Sequence, residues 1–187
     1  MSKVIHNPAL ASVDEHSATS ASFVIEPLQA GYANTLGNSL RRVLLSSVKG
    51  GAIVAFRIEG VSHEFTTVPG VKEDVVDIML NLKNVRVKVS SDEPIELRLE
   101  KKGTGTITAG DIKTSADVEI VNPTQVIATI DDPKKSIVMD IVVESGRGYE
   151  TIEQASTNRL HSDMIALDAV FSPVLRVRYK VDSTRVG

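Results

Sequence analysis

The chain has 187 residues, enough for one domain or two small ones. It is 42% hydrophobic but only 4% aromatic, with no Trp, so its core is built from Val, Ile and Leu. The net charge of -3 argues against a domain that grips nucleic acid through overall charge, and the absence of Cys excludes disulfides and thiolate metal sites.

Residues 1–20 are small and polar with no sustained period, which predicts a mobile arm with at most a short strand. SFVIEPL (22–28) reads as a strand, and a helix follows over 34–48. Gly50 and Gly51 are expected to stop it, since glycine ends helices at little cost. Strand patterns then dominate, at 51–60, 62–68, 85–89, 95–100, 118–121, 125–130 and 136–145. The alternation in IELRLE (95–100) sets Ile95, Leu97 and Leu99 against Glu96, Arg98 and Glu100, the mark of a half-buried antiparallel strand. KKGTGT and DDPKKS read as turns, the first of a hairpin. Val71, Val75, Ile78, Met79 and Leu82 form a helical stripe, so a second helix lies among the strands. The last segment alternates Leu175, Val177, Tyr179 and Val181 with Arg176, Arg178, Lys180 and Asp182. The fold class is α+β, strand-rich, with two principal helices.

No segment reaches the roughly 18 apolar residues of a membrane span, and the N-terminus has no apolar run of signal-peptide length. The expectation is a soluble cytoplasmic protein without membrane contact.

Enzymatic chemistry is not visible. His6, His16, His63 and His161 lie far apart and lack metal-ligand spacing, so neither a metal nor another cofactor is expected. His161, Ser162 and Asp163 carry the letters of a triad, but sequence neighbours rarely converge on one reacting atom. The glycines at 103–106 and 146–148 lack the strand–loop–helix context of a phosphate loop and read as hairpin turns. The acidic pairs Glu73-Asp74 and Asp131-Asp132 read as solvated.

The two helices carry more information. On a wheel of 100° per residue, Leu36, Leu40, Val43, Leu44 and Val48 cluster as a core stripe with Gly37 at its margin. Asn38, Arg41, Arg42 and Leu45 lie opposite. Two readings fit that side: a solvated face, or a protein–protein contact, where Arg is enriched. Gly37 costs the helix about 1 kcal/mol relative to Ala but lets another backbone approach closely. The outward side of the second helix mixes Glu73, Val76, Asp77 and Leu80, with Lys83 at its end.

Ordered motifs over most of the chain resemble the N-terminal assembly domain of the bacterial-type RNA polymerase alpha subunit. They are EPLQAGYANTLGNSLRRVLLSS (26–47), HEF (63–65), GVKEDVVDIMLNLK (70–83), GRGY (146–149) and DAVFSPVLRVRY (168–179). The resemblance implies a discontinuous dimerisation subdomain from residues 1–50 and 171–187, and a β-rich inserted subdomain over 51–170. It implies a non-catalytic scaffold, part of a nucleotidyltransferase complex, that dimerises with a second alpha copy and binds the beta and beta-prime subunits. Leu36, Gly37, Leu40, Val43 and Leu44 are the expected dimer contacts. Asn38, Arg41, Arg42, Leu45, Asp77, Leu80 and Lys83 are the expected large-subunit contacts. The family continues past the position of Gly187 with a helix that packs in the dimer and a DNA-binding domain. The expectations are therefore a weakened dimer and no direct specific DNA contact. The location implied is the bacterial cytoplasm or the plastid stroma. The rival readings are a free-standing dimeric β-rich binding module and, third, an enzyme.

Overall fold

The computed structural model describes residues 7–154 and 163–183. His6, His161 and Ser162 lie outside the described residues, as do 184–187. Contacts divide the chain into two compact units, Met1–Leu44 with Arg176–Gly187, and Leu45–Leu175. The class is α+β, with two α-helices among the described residues.

In the smaller unit, β1 (Ala9–Ser17) pairs antiparallel with β2 (Ser20–Glu26). The expected mobile arm is thus one strand of a hairpin. Its register opposes Leu10 to Ile25 and Val13 to Phe23, but breaks between Leu10 and Ser12 and again between Glu15 and Ser17. These irregularities remove the period of two from the sequence while leaving the ladder in place. The Ser17 hydroxyl accepts from the Thr19 amide at 3.3 Å and helps close the turn. Gly31, at φ +84, makes the left-handed step into α1 (Tyr32–Ser47).

The alternating tail from residue 175 forms no strand among the described residues, and Leu175 is 72% exposed. Alternation marks a two-faced segment, but a strand also needs an edge to pair with. Tyr179 nevertheless has a specific seat. A Cβ at Gly37 would lie 2.6 Å from its ring, so the group that approaches Gly37 in this chain is Tyr179.

The larger unit holds β3 (Lys49–Ile58), α2 (Val75–Lys83), β4 (Val87–Val89) and β5 (Ile95–Lys102). Next come β6 (Gly105–Thr108), β7 (Ile112–Lys113), β8 (Val118–Ile120), β9 (Val126–Ile130) and β10 (Ser136–Arg147). The short β11 (Tyr149–Glu150), β12 (Ile165–Ala166) and β13 (Ala169–Val170) complete it. The main sheet is antiparallel in the order β7-β5-β10-β3-β4-β8, with β12 also on β3.

The central strands are covered on both faces. Ile53, Phe56 and Ile58 of β3 join Met139, Ile141 and Val143 of β10 in the main core. Ala52, Val54, Ala55 and Val142 join Ala169 and Phe171 in a second, smaller one. Ile53 and Phe56 share a face although three residues apart. Ala55 opposes Val142 and Ile53 opposes Val143, so Val54 is the extra residue of a bulge that shifts the side-chain phase.

Several sequence expectations are corrected here. Gly50 and Gly51 do not merely stop α1, which ends at Ser47; they lie inside β3. A Cβ at Gly50 would collide with the Phe171 carbonyl, and one at Gly51 would lie 2.8 Å from the Val87 carbonyl. Both positions therefore exclude a side chain because another backbone passes there. Residues 62–68 form bends and one isolated bridge, Thr67 with Asp74, rather than a strand. KKGTGT makes no hairpin, since β5 pairs with β10 and β7, whereas β6 pairs with β9. The 146–148 glycines are not a hairpin turn either: β10 runs through Arg147, and Gly148, at φ +66, offers its carbonyl to the amides of Phe171 and Ser172 at 2.9 and 3.2 Å.

Candidate functional site

The first candidate face is α1. None of its residues is buried. Leu36 and Gly37 are half-buried, but Leu40 is 37%, Val43 54% and Leu44 38% exposed. Among the described residues, the expected core stripe is therefore left largely open. Wheel geometry identifies which residues share a side, but not what covers that side. Asn38, Arg41 and Arg42 are exposed, while Leu45, expected to point outward, is half-buried.

The second face is α2. Val75, Ile78 and Leu82 are fully buried and Met79 packs against the same core, whereas Val71 precedes the helix and bridges to Ile130. Asp74 caps the N-terminus, its carboxylate accepting from the Asp77 amide at 2.7 Å. Glu73 is not part of the helix surface: it accepts from the amide and hydroxyl of Thr129 at 2.6 and 3.1 Å, tying the helix approach to β9. Asp132 accepts from the Lys134 amide at 2.9 Å. These three carboxylates hold backbone in place, where the sequence suggested simple solvation. Asp77, Leu80 and Lys83 remain exposed, with Leu80 at 51%.

Lys83 does not end in open solvent. Its Nζ lies 3.5 Å from Asp168 Oδ2, each side chain being about one-third exposed. Asp168 Oδ1 accepts from the Ile152 amide at 3.0 Å, and the nearby Tyr149 hydroxyl favours the charged carboxylate. The Ile152 amide holds the Asp168 carboxyl below the usual range; partial burial opposes this, and Lys83 and Tyr149 reinforce it. Tyr149 is pushed up by burial and by the neighbouring Asp168 charge. Residues from LNLK, GRGY and DAVFSP thus meet at one carboxylate. Each motif is visible in the sequence, but only the β11–β13 pairing of Tyr149 with Val170 brings them together.

A second network spans the sheet. Asp140 on β10, nearly buried, accepts from Arg57 on β3 at 2.6 Å and from Arg98 on β5 at 3.2 Å. Both arginines are its register partners, so three adjacent strands are cross-linked. Arg57 also meets Asp163 at 2.6 Å. Phe65, in the HEF bend, is 81% exposed. His16 bonds the Ser22 hydroxyl at 2.7 Å within the hairpin. Among the described residues, no group of three or more His, Asp or Glu is placed to hold a metal. No described helix is long and apolar enough to cross a membrane.

Residues 54–172 match the family described as the RNA polymerase Rpb3/RpoA insert domain. The chain is 50% identical over 170 residues to a DNA-directed RNA polymerase subunit alpha of Alkaliphilus metalliredigens, covering 91% of this chain and 54% of that protein. It is 52% identical over 165 residues to that of Symbiobacterium thermophilum, covering 88% and 52%. Against that of Desulfitobacterium hafniense it is 49% identical over 184 residues, covering 98% and 58%. The chain spans about half the length of these relatives. With about half its positions identical to these relatives and the insert-domain family matching residues 54–172, it belongs to the bacterial RNA polymerase alpha subunit family, as an N-terminal domain that carries the Rpb3/RpoA insert.

Proposed function

We propose that this chain is a non-catalytic assembly scaffold of DNA-directed RNA polymerase, dimerising through α1 and recruiting the large beta and beta-prime subunits. The observation that carries this reading is the exposed two-sided helix. Leu40, Val43 and Leu44 are uncovered on one side, and Asn38, Arg41 and Arg42 lie on the other. A helix with apolar side chains left open is stable in an assembly that covers them. The dimer contacts are Leu36, Gly37, Leu40, Val43 and Leu44, in a subdomain built from both chain ends. Arg42, with Asn38, Arg41 and Leu45, faces beta, and Asp77, Leu80 and Lys83 form a further large-subunit contact. The work is done in the compartment that holds the polymerase. Membership of the alpha family weighs against a free-standing binding module.

Arg42→Ala tests the reading. An arginine on an exposed helix position changes folding stability by within about 0.5 kcal/mol. At the centre of an interface its loss costs roughly 2 kcal/mol or more, on the order of thirtyfold in affinity. The variant is expected to melt like the unsubstituted protein and to lose co-purification with beta. Beta captured at undiminished strength would reduce the twinned arginines to a solvated face.

A further inference from the structure

The main polar clusters outside the two helices hold the fold itself. The Asp140 network is saturated by Arg57 and Arg98, and the carboxylates of Glu73, Asp74 and Asp132 hold backbone. The Asp168 cluster differs, because its geometry has a direction. Asp168 is fixed independently of Lys83: Oδ1 accepts from the Ile152 amide at 3.0 Å, and the residue directly precedes β13, which pairs with β11. Lys83 then meets the other oxygen at 3.5 Å, the long end of an ion pair. An ammonium carries three donors, and this contact engages one of them. The remaining donors keep their reach.

We infer that Asp168, held by the Ile152 amide beside the β11–β13 pair, is a positioning residue that keeps the Lys83 ammonium in place to receive an acidic group of a docking protein. The inference rests on the reading that Lys83 contacts a large polymerase subunit. A lysine has a flexible four-carbon stem with about 2 kcal/mol of rotamer entropy. An interface that captures a free lysine must order it; one that meets an anchored lysine need not. An ion pair exposed by about a third on each side contributes little to folding in its own right, so the effect of Asp168 belongs in recognition. Leu80, one turn before Lys83, is exposed on the same side and supplies apolar area beside the charge.

A double-mutant cycle separates positioning from structure. Lys83→Met, Asp168→Asn and the double variant would be made in the full alpha subunit, with beta and beta-prime co-expressed as the probe. Asp168→Asn keeps an oxygen for the Ile152 amide and removes the charge. The expected result is a loss of large-subunit affinity on the order of threefold to tenfold for Asp168→Asn alone, and no further loss in the Lys83→Met background. Acylation of Lys83 by an amine-reactive reagent, read by mass spectrometry, is expected to speed up in Asp168→Asn. Equal losses in both backgrounds mean that Asp168 acts on the fold and not through Lys83, which overturns the inference alone. Unchanged binding in Lys83→Met removes Lys83 from the interface, and the underlying reading fails together with the inference. Unchanged acylation means that the carboxylate does not hold the lysine, and that also overturns it.

Discussion

In the larger unit Phe56, Ile78, Leu82, Leu99 and Met139 are fully enclosed, whereas in the smaller unit no described residue is buried. The smaller unit is not poor in apolar side chains. Phe23 is 62% exposed, and Leu10, Val13, Leu40, Val43 and Leu44 are open as well. The difference is geometric. The larger unit has a multi-stranded sheet with layers on both faces, so each strand finds neighbours within the chain. Among its described residues the smaller has one hairpin and one helix, too few layers to enclose a core. One unit encloses its own apolar side chains, and the described residues of the other leave theirs exposed.

The largest effect expected from this contrast is in the enclosed core. Phe56→Ala deletes a fully buried ring at the junction of β3, β10 and β12. It is expected to cost about 3–5 kcal/mol, through lost transfer energy and the cavity left behind. Urea denaturation measures it. A cost under about 1 kcal/mol would mean that the larger unit is as loosely closed as the smaller one, and the contrast would disappear.

A smaller effect concerns the polar ties of the larger unit. Asp111 is partly buried, which by itself raises its carboxyl. The Lys101 ammonium at 2.8 Å and the Thr108 amide at 2.8 Å outweigh this and hold it below its ordinary value. A carboxyl depressed in the folded state stabilises fully above the unfolded value near 3.8, and that stability is lost as pH falls through the depressed value. Asp111→Asn should therefore cost about 1–2 kcal/mol near neutral pH. The gap to the unsubstituted protein should close in acid below about pH 3.8. Denaturant midpoints across pH 2.5 to 7 test it, and a gap that persists in acid would assign the effect to packing rather than charge.

How much the sequence disclosed follows the same division. IELRLE was readable because β5 has one face on the core and one toward solvent, so burial alternates with the residues. The start of α2 was less so: the stripe suggested Val71 as its first member, but the Asp74 cap sets the helix four residues later. Segment 62–68 has strand-like composition, yet among the described residues an isolated bridge is its only ladder contact. Composition states a preference for a pleated surface, and pairing is decided by which edges are free. The β1 strand was hidden by two register breaks. The meeting of Lys83, Tyr149 and Asp168 depends on long-range register and has no local signal. On α1, the wheel sorts residues by side but sets Leu45 outward where it is half-buried, and a stripe left open reads the same as one that meets its own core.

That ambiguity is what the smallest expected effect on folding resolves. Val43 lies on the apolar side of α1 and is 54% exposed. Val43→Lys puts a charge there without loss of helix propensity, since Lys is at least as good a helix former as Val. If the smaller unit leaves this side open for another copy, the isolated chain has little to lose. The thermal midpoint at high dilution should shift by no more than about 0.5 kcal/mol of stability allows. Self-association should fall sharply, because burying an unpaired ammonium between two apolar helices costs several kcal/mol. Sedimentation velocity over a dilution series reads the association, and melting on the same samples reads the fold. A variant that unfolds would show that Val43 belongs to a closed core. One that associates as before would move the self-contact off this side of α1, leaving Leu40 and Leu44 as cover for a different partner.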